Sequence, residues 1–165
     1  MQKFILSVLV ENKFGVLARV AGLFSARGFN IDSLAVSATE DPTISRMTIV
    51  VTADEKTLEQ IKKQLNKLID IIRVQDLTKK KYIDRELVLI NVSMKPGNKE
   101  KIIQAVGSVG AEVIDVGKEM ITIEETGDKH KISALIELMK PFGILEVVRT
   151  GEVAIQTEEE KREEK

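Results

Sequence analysis

The residues best placed for chemistry are Asn12 and Gly15. They lie in Glu11-Asn-Lys-Phe-Gly15, which follows an apolar strand, Phe4–Val10, and leads into a helix ending at Gly28-Phe-Asn30. A glycine where a strand turns into a helix lets a small molecule approach the backbone closely. The helix start beyond it offers unpaired N–H groups and a partial positive charge to a carboxylate. Asn12 adds a side-chain donor and an acceptor at the same place. A free amino acid carries both charges and needs both kinds of partner. The chemistry implied is capture of a small zwitterion, with no catalyst beside it. Taken singly, Gly15 is a tight turn needing positive φ, and Asn12 a turn or cap residue.

Other chemistries find little here. The chain has one histidine, His130, and no cysteine. A Ser-His-Asp triad would have to use His130, which falls in Thr126-Gly-Asp-Lys-His130 and reads as an exposed residue at a helix start. A zinc site needs several nitrogen or sulfur ligands, so no metal ligand is assigned. Neither GxxxxGK[ST] nor GxGxxG occurs. No residue is assigned a catalytic role.

Composition sets the class. Of 165 residues, 43% are hydrophobic and 31% charged, which describes a globular chain rather than a disordered one. Aromatic residues make up only 4%, so the core must be built from Ile, Leu and Val. A net charge of −1 argues against nucleic acid or an anionic membrane as partner. Met1 leads directly into a strand pattern and no apolar run approaches a membrane span, so the expected location is the cytoplasm.

The elements that must position Asn12 and Gly15 form an alternating series. After the first strand, helix Val16–Arg27 puts Leu17, Val20, Ala21 and Phe24 on one face. Strands Asn30–Ala38 and Ser45–Thr52 follow, joined by a loop containing Pro42. Asp54 caps a second helix striped by Leu58, Ile61, Leu65 and Leu68, and Ile71–Leu77 is a fourth strand. The order is βαββαβ. The second half repeats it: strand Leu87–Val92, helix Lys99–Val109, Glu112-Val-Ile-Asp115, Met120-Ile-Thr-Ile123, a helix capped by Asp128, and strand Ile144–Arg149. Pro96-Gly97-Asn98 loosely echoes the Gly15 turn.

The fold class expected is therefore α+β, with two ferredoxin-like domains. Residues 1–77 form the first, 78–83 a polar linker, 84–155 the second, and 156–165 a charged tail. In the first half, strand residues of both parities are apolar, including Ile5, Leu6, Val8, Ile49, Val50 and Val51. Alternation is expected where one sheet face meets water. The second face or an edge should thus be covered by another domain or chain, which predicts an obligate dimer.

Ile5-Leu-Ser-Val-Leu-Val-Glu-Asn12, Gly15-Val-Leu-Ala-Arg-Val-Ala-Gly-Leu-Phe24, Arg27-Gly-Phe-Asn-Ile-Asp-Ser-Leu34 and Asp41-Pro-Thr-Ile-Ser-Arg-Met-Thr48 resemble one family closely. It is that of the small regulatory subunit of acetolactate (acetohydroxyacid) synthase. The second half matches more loosely, through Glu86-Leu-Val-Leu-Ile90, Glu112-Val-Ile-Asp115 and Arg149-Thr-Gly151, and the likeness covers about residues 3–155. The resemblance implies an N-terminal ACT domain, a related C-terminal domain, and a homodimer whose ACT sheets meet edge to edge. It implies a catalytic large subunit as partner, which this chain would activate and make sensitive to a branched-chain amino acid, typically valine. Thiamine diphosphate, Mg2+ and FAD would belong to that partner, with no cofactor in this chain.

On the same resemblance, the ligand would lie between Asn12, Phe14, Gly15, Val16 and Leu17 of one chain and Asn30 and Ile31 of its neighbour. Phe14 departs from the small polar residue that relatives often carry there, and its ring would either narrow the pocket or face solvent. One methylene in an apolar pocket is worth about 1–3 kcal/mol, so the residues specify a branched-chain class rather than valine alone. Three other readings stand beside this one. A free-standing amino-acid sensor would use the same turn without a catalytic partner. A small ferredoxin-like enzyme, such as an acyl phosphatase, would need an arginine and an asparagine converging there, and Arg19 reads as a surface charge. An amino-acid-sensing transcription regulator would need a recognition helix, and none is left over.

Overall fold

The computed structural model describes residues 1–158 and divides into two units, residues 84–151 forming one and the rest of the described chain the other. Both are α+β units of the expected βαββαβ order.

In the first unit, β1 (Gln2–Glu11), α1 (Val16–Ala26), β2 (Ser33–Ala38), β3 (Ile44–Ala53), α2 (Glu55–Leu65) and β4 (Ile71–Asp76) build an antiparallel sheet of order β2-β3-β1-β4. Register follows parity: Leu6 stands opposite Ile49, and Val8 opposite both Met47 and Val74. One face of β1 and β3, with Phe4, Leu6, Val8, Met47, Ile49 and Val51, packs on Val20 and Phe24 of α1 and Leu58, Ile61 and Leu65 of α2. Asp54 caps α2 as expected, its carboxylate accepting from Thr57 N at 2.7 Å.

The opposite sheet face carries Ile5, Ser7, Thr48 and Val50, all buried. The expected cover is another domain or chain. The chain's own C-terminal segment returns to this face. Ala154, Leu77 and Tyr82 pack with Ile5 and Val50 in a small second core. Glu152 N donates to Ser33 Oγ at 3.1 Å and Ala154 N to Thr48 Oγ1 at 3.3 Å. Lys3 Nζ pairs with Glu152, and Gln75 Nε2 donates to Gln156 Oε1 at 2.6 Å. Residues 152–156, with a short strand β9 (Val153–Gln156), thus group by contact with the first unit. The physical reason is the apolar second face, which this segment removes from water. The linker is tied to the same structure: Ile5 N donates to Thr78 Oγ1, and Thr157 N to Lys81 O. The rest of the expected tail, residues 159–165, lies outside the described residues.

In the second unit, β5 (Tyr82–Ser93, entering from residue 84), α3 (Lys99–Ser108), β6 (Glu112–Val116), β7 (Met120–Gly127), α4 (Lys129–Met139) and β8 (Ile144–Arg149) form a sheet of order β6-β7-β5-β8. Val88, Ile90, Val92, Ile121 and Ile123 face Ile102, Val106, Ile132 and Leu135 of the helices. Buried Glu86 on β5 is clamped by Arg149 of β8 through two bonds, at 2.8 and 2.6 Å. His130 is exposed in the first turn of α4, as its position suggested, beside the capping Asp128. Among the described residues no group of three potential metal ligands gathers, and no helix is long and apolar enough to cross a membrane.

Candidate functional site

Gly15 ends the turn between β1 and α1 with φ of +81°, a conformation open to glycine and strained for other residues. It is also the N-cap of α1, so this helix start has no side-chain cap and no acidic residue in its first turn. The amides of that first turn have no intrahelical acceptor. The turn combines the requirement for positive φ with donors left over in the first helical turn, Val16 excepted.

Asn12 is bound more firmly than its sequence position suggested. Its backbone N–H donates to Thr43 O at 2.7 Å, and its Nδ2 to Pro42 O at 2.8 Å. The turn is thereby fastened to the loop between β2 and β3. That leaves the side-chain oxygen of Asn12, an acceptor suited to an ammonium group, with no partner among the described residues. Lys13 is spent on Glu11 at 2.7 Å, and this hydrogen bond and the glutamate charge raise its ammonium above the ordinary lysine range.

The other predicted residues divide by exposure. Phe14 is fully exposed and Leu17 partly so, whereas Val16 is buried in the helix-side core. The Val16 N–H itself donates to Lys13 O at 3.3 Å, so the first-turn donors left for a ligand are those of Leu17 and Ala18. Asn30 and Ile31 precede β2 instead of starting it, because the strand begins at Ser33. Asp32 shapes this entry. Its carboxylate accepts from Asn30 Nδ2 at 2.8 Å and Thr52 Oγ1 at 2.7 Å, and its N–H donates to Val50 O.

Within one chain these two sets of residues do not meet. β1 ends at the Gly15 turn, and α1 runs back along it for 11 residues, about 16 Å, before Asn30 is reached. A cleft of about 300 Å³ lies at the Asn30 end, lined by Arg27, Phe29, Asn30, Thr52 and Thr57. It does not include the Gly15 turn.

The sequence reading left out one pair at the turn. Arg19 is the exposed charge expected, and it also donates from Nε to Asp70 Oδ2 at 2.8 Å. Asp70 is buried, and its carbonyl accepts from Glu11 N at 2.9 Å. A carboxylate inside the apolar run Leu68-Ile-Asp-Ile-Ile72 was the available signal, since a buried acid needs a partner.

Comparison with known proteins identifies the family. Residues 6–73 match the family model described as the AHAS small subunit-like ACT domain, and residues 85–158 that of the small subunit of acetolactate synthase. The chain is 54% identical over 150 residues to the acetolactate synthase small subunit of Mycobacterium leprae, covering 91% of this chain and 89% of that one. It is 51% identical to the probable acetolactate synthase small subunit of Archaeoglobus fulgidus over 153 residues, 93% of this chain and 96% of the relative. The crystal structure of the Thermotoga maritima acetolactate synthase small subunit superposes with a TM-score of 0.88 at 38% identity, covering 96% and 99% of the two chains. These relatives carry the name of the small subunit, and the likeness runs through both units. The chain belongs to the family of acetolactate synthase small subunits.

Proposed function

We propose that this chain is a non-catalytic regulatory subunit that binds and activates the catalytic large subunit of acetolactate synthase and makes it responsive to valine or a related branched-chain amino acid. The carrying observation is the uncapped start of α1 behind Gly15, with the free oxygen of Asn12 beside it. Together they supply donors for a carboxylate and an acceptor for an ammonium. The thiamine diphosphate chemistry belongs to the large subunit on this reading.

The effector site is shared between two copies of the chain. β2 is an edge strand with one side of its ladder unpaired. Antiparallel pairing of two such edges about a two-fold axis brings the Ser33 end of one β2 to the Ala38 end of the other. The Ala38 end leads into the loop that holds Asn12, and Asn30 and Ile31 lie just before Ser33. Pairing thus supplies from a neighbour what the single chain lacks. The ligand would favour one dimer arrangement, and a differential affinity of about 1–3 kcal/mol suffices to alter activity severalfold or more. Calorimetry with valine, combined with light scattering, tests this reading. It predicts saturable binding to a dimer; a monomer at low micromolar concentration that takes up no valine contradicts it.

A further inference from the structure

Arg19, an exposed side chain on α1, places its guanidinium at the Gly15 turn and is held there by a buried carboxylate. Its Nε is occupied by Asp70, while neither Nη group has an acceptor among the described residues. Nη1 stands 3.0 Å from the point a Cβ on Gly15 would occupy. The guanidinium edge therefore lies across the face of the turn that glycine leaves open. The corresponding turn of the second unit, at Gly97 with φ of +82°, has no such neighbour: nothing lies within 4 Å of the same point.

Asp70 fixes this arrangement. It is 7% exposed, and its backbone is hydrogen-bonded to the end of β1, so the carboxylate has a set position relative to the turn. Holding a planar fork by one nitrogen orients the remaining donors and lowers the ordering cost of a bond to a bound anion. The other cation at the turn, Lys13, is already paired with Glu11. Arg19 is thus the charge at the turn with donors left over.

We propose that the free guanidinium edge of Arg19 receives the carboxylate of the amino-acid ligand at the Gly15 turn, with Asp70 as its positioning residue. This rests on the reading of the turn as an amino-acid site and adds the residue that recognises the acid group. It also predicts that the site selects an α-carboxylate over its amide.

The test is calorimetry on the full chain with valine and with valinamide, which keeps the ammonium and side chain but lacks the anionic carboxylate. Arg19→Gln retains a donor for Asp70 and should lower valine affinity about 10- to 100-fold, the range of a hydrogen bond to a charged group. Valinamide affinity should change by less than about threefold by the same reasoning, so the preference for the acid collapses. Arg19→Lys should restore part of the preference, charge without fork. Asp70→Asn should give an intermediate loss. Valine affinity unchanged in Arg19→Gln, or equal losses for valine and valinamide, overturns the assignment while leaving the site itself intact. A native chain that takes up no valine overturns the site as well.

Discussion

Lys3 and Glu152, 149 positions apart in the chain, form an ion pair in which one ammonium meets both carboxylate oxygens. The glutamate side chain is 7% exposed and the lysine 31%. The pair fastens the C-terminal segment over the second face of the first sheet, above Ile5 and Val50.

The unequal burial of that pair sets an unequal cost of breaking it. Lys3→Met leaves a buried carboxylate without its cation and should destabilise the chain by about 1–3 kcal/mol. Glu152→Gln leaves a lysine able to reach water and should cost less than about 1 kcal/mol. Denaturant unfolding of both variants checks the order; equal losses would contradict it.

Much of this architecture could be read from local pattern. The Gly15 turn, the caps Asp54 and Asp128, and the stripe Leu58-Ile61-Leu65 each follow from neighbours within a few residues. The C-terminal return could not be read this way, since four strand residues, Val153–Gln156, are too few to show a period. Nor could the Arg19–Asp70 pair, whose members stand 51 positions apart. The start of β2 was misplaced because Asp32 uses its side chain to hold the entry out of the strand. The apolar second face of the first sheet shows that a cover is needed, but pattern alone does not single out residues 152–156 as that cover.

Gly15→Asp should abolish the response to valine while preserving attachment to the catalytic subunit. A side chain there meets Arg19 Nη1 within 3.0 Å, so its carboxylate would occupy the guanidinium and repel the ligand's own acid group. The backbone, at φ of +81°, adds strain of about 1–2 kcal/mol. Inhibition assays on the reconstituted complex check this. Unchanged sensitivity would remove Gly15 from the site.

Phe14→Ser should leave stability within about 0.5 kcal/mol, because the ring is fully exposed and packs on nothing in its own chain. If the dimer closes over this turn, valine affinity should change in the same variant. Thermal unfolding and calorimetry on one preparation separate the two effects.

Acid should weaken the fold through its capping carboxylates. Hydrogen bonds from Thr57 hold Asp54 below the usual range, led by the backbone bond; Lys131 N does the same for Asp128, and Thr43, first through its hydroxyl, for Asp41. A carboxylate with a lowered folded value stabilises fully above its unfolded value, about pH 3.9, and loses that contribution as pH falls through the folded one. Stability should therefore be level on this account from pH 7 to about 5 and fall in stronger acid. The double variant Asp54→Asn, Asp128→Asn, which caps without titrating, should show a shallower fall.

The central claim is tested most directly by titrating the cognate catalytic subunit with this chain and measuring acetolactate formation with and without valine. Activity should rise to a plateau as the chain is added, and valine should lower it only when the chain is present. No change in activity at saturating chain, or equal inhibition by valine without it, would contradict the account.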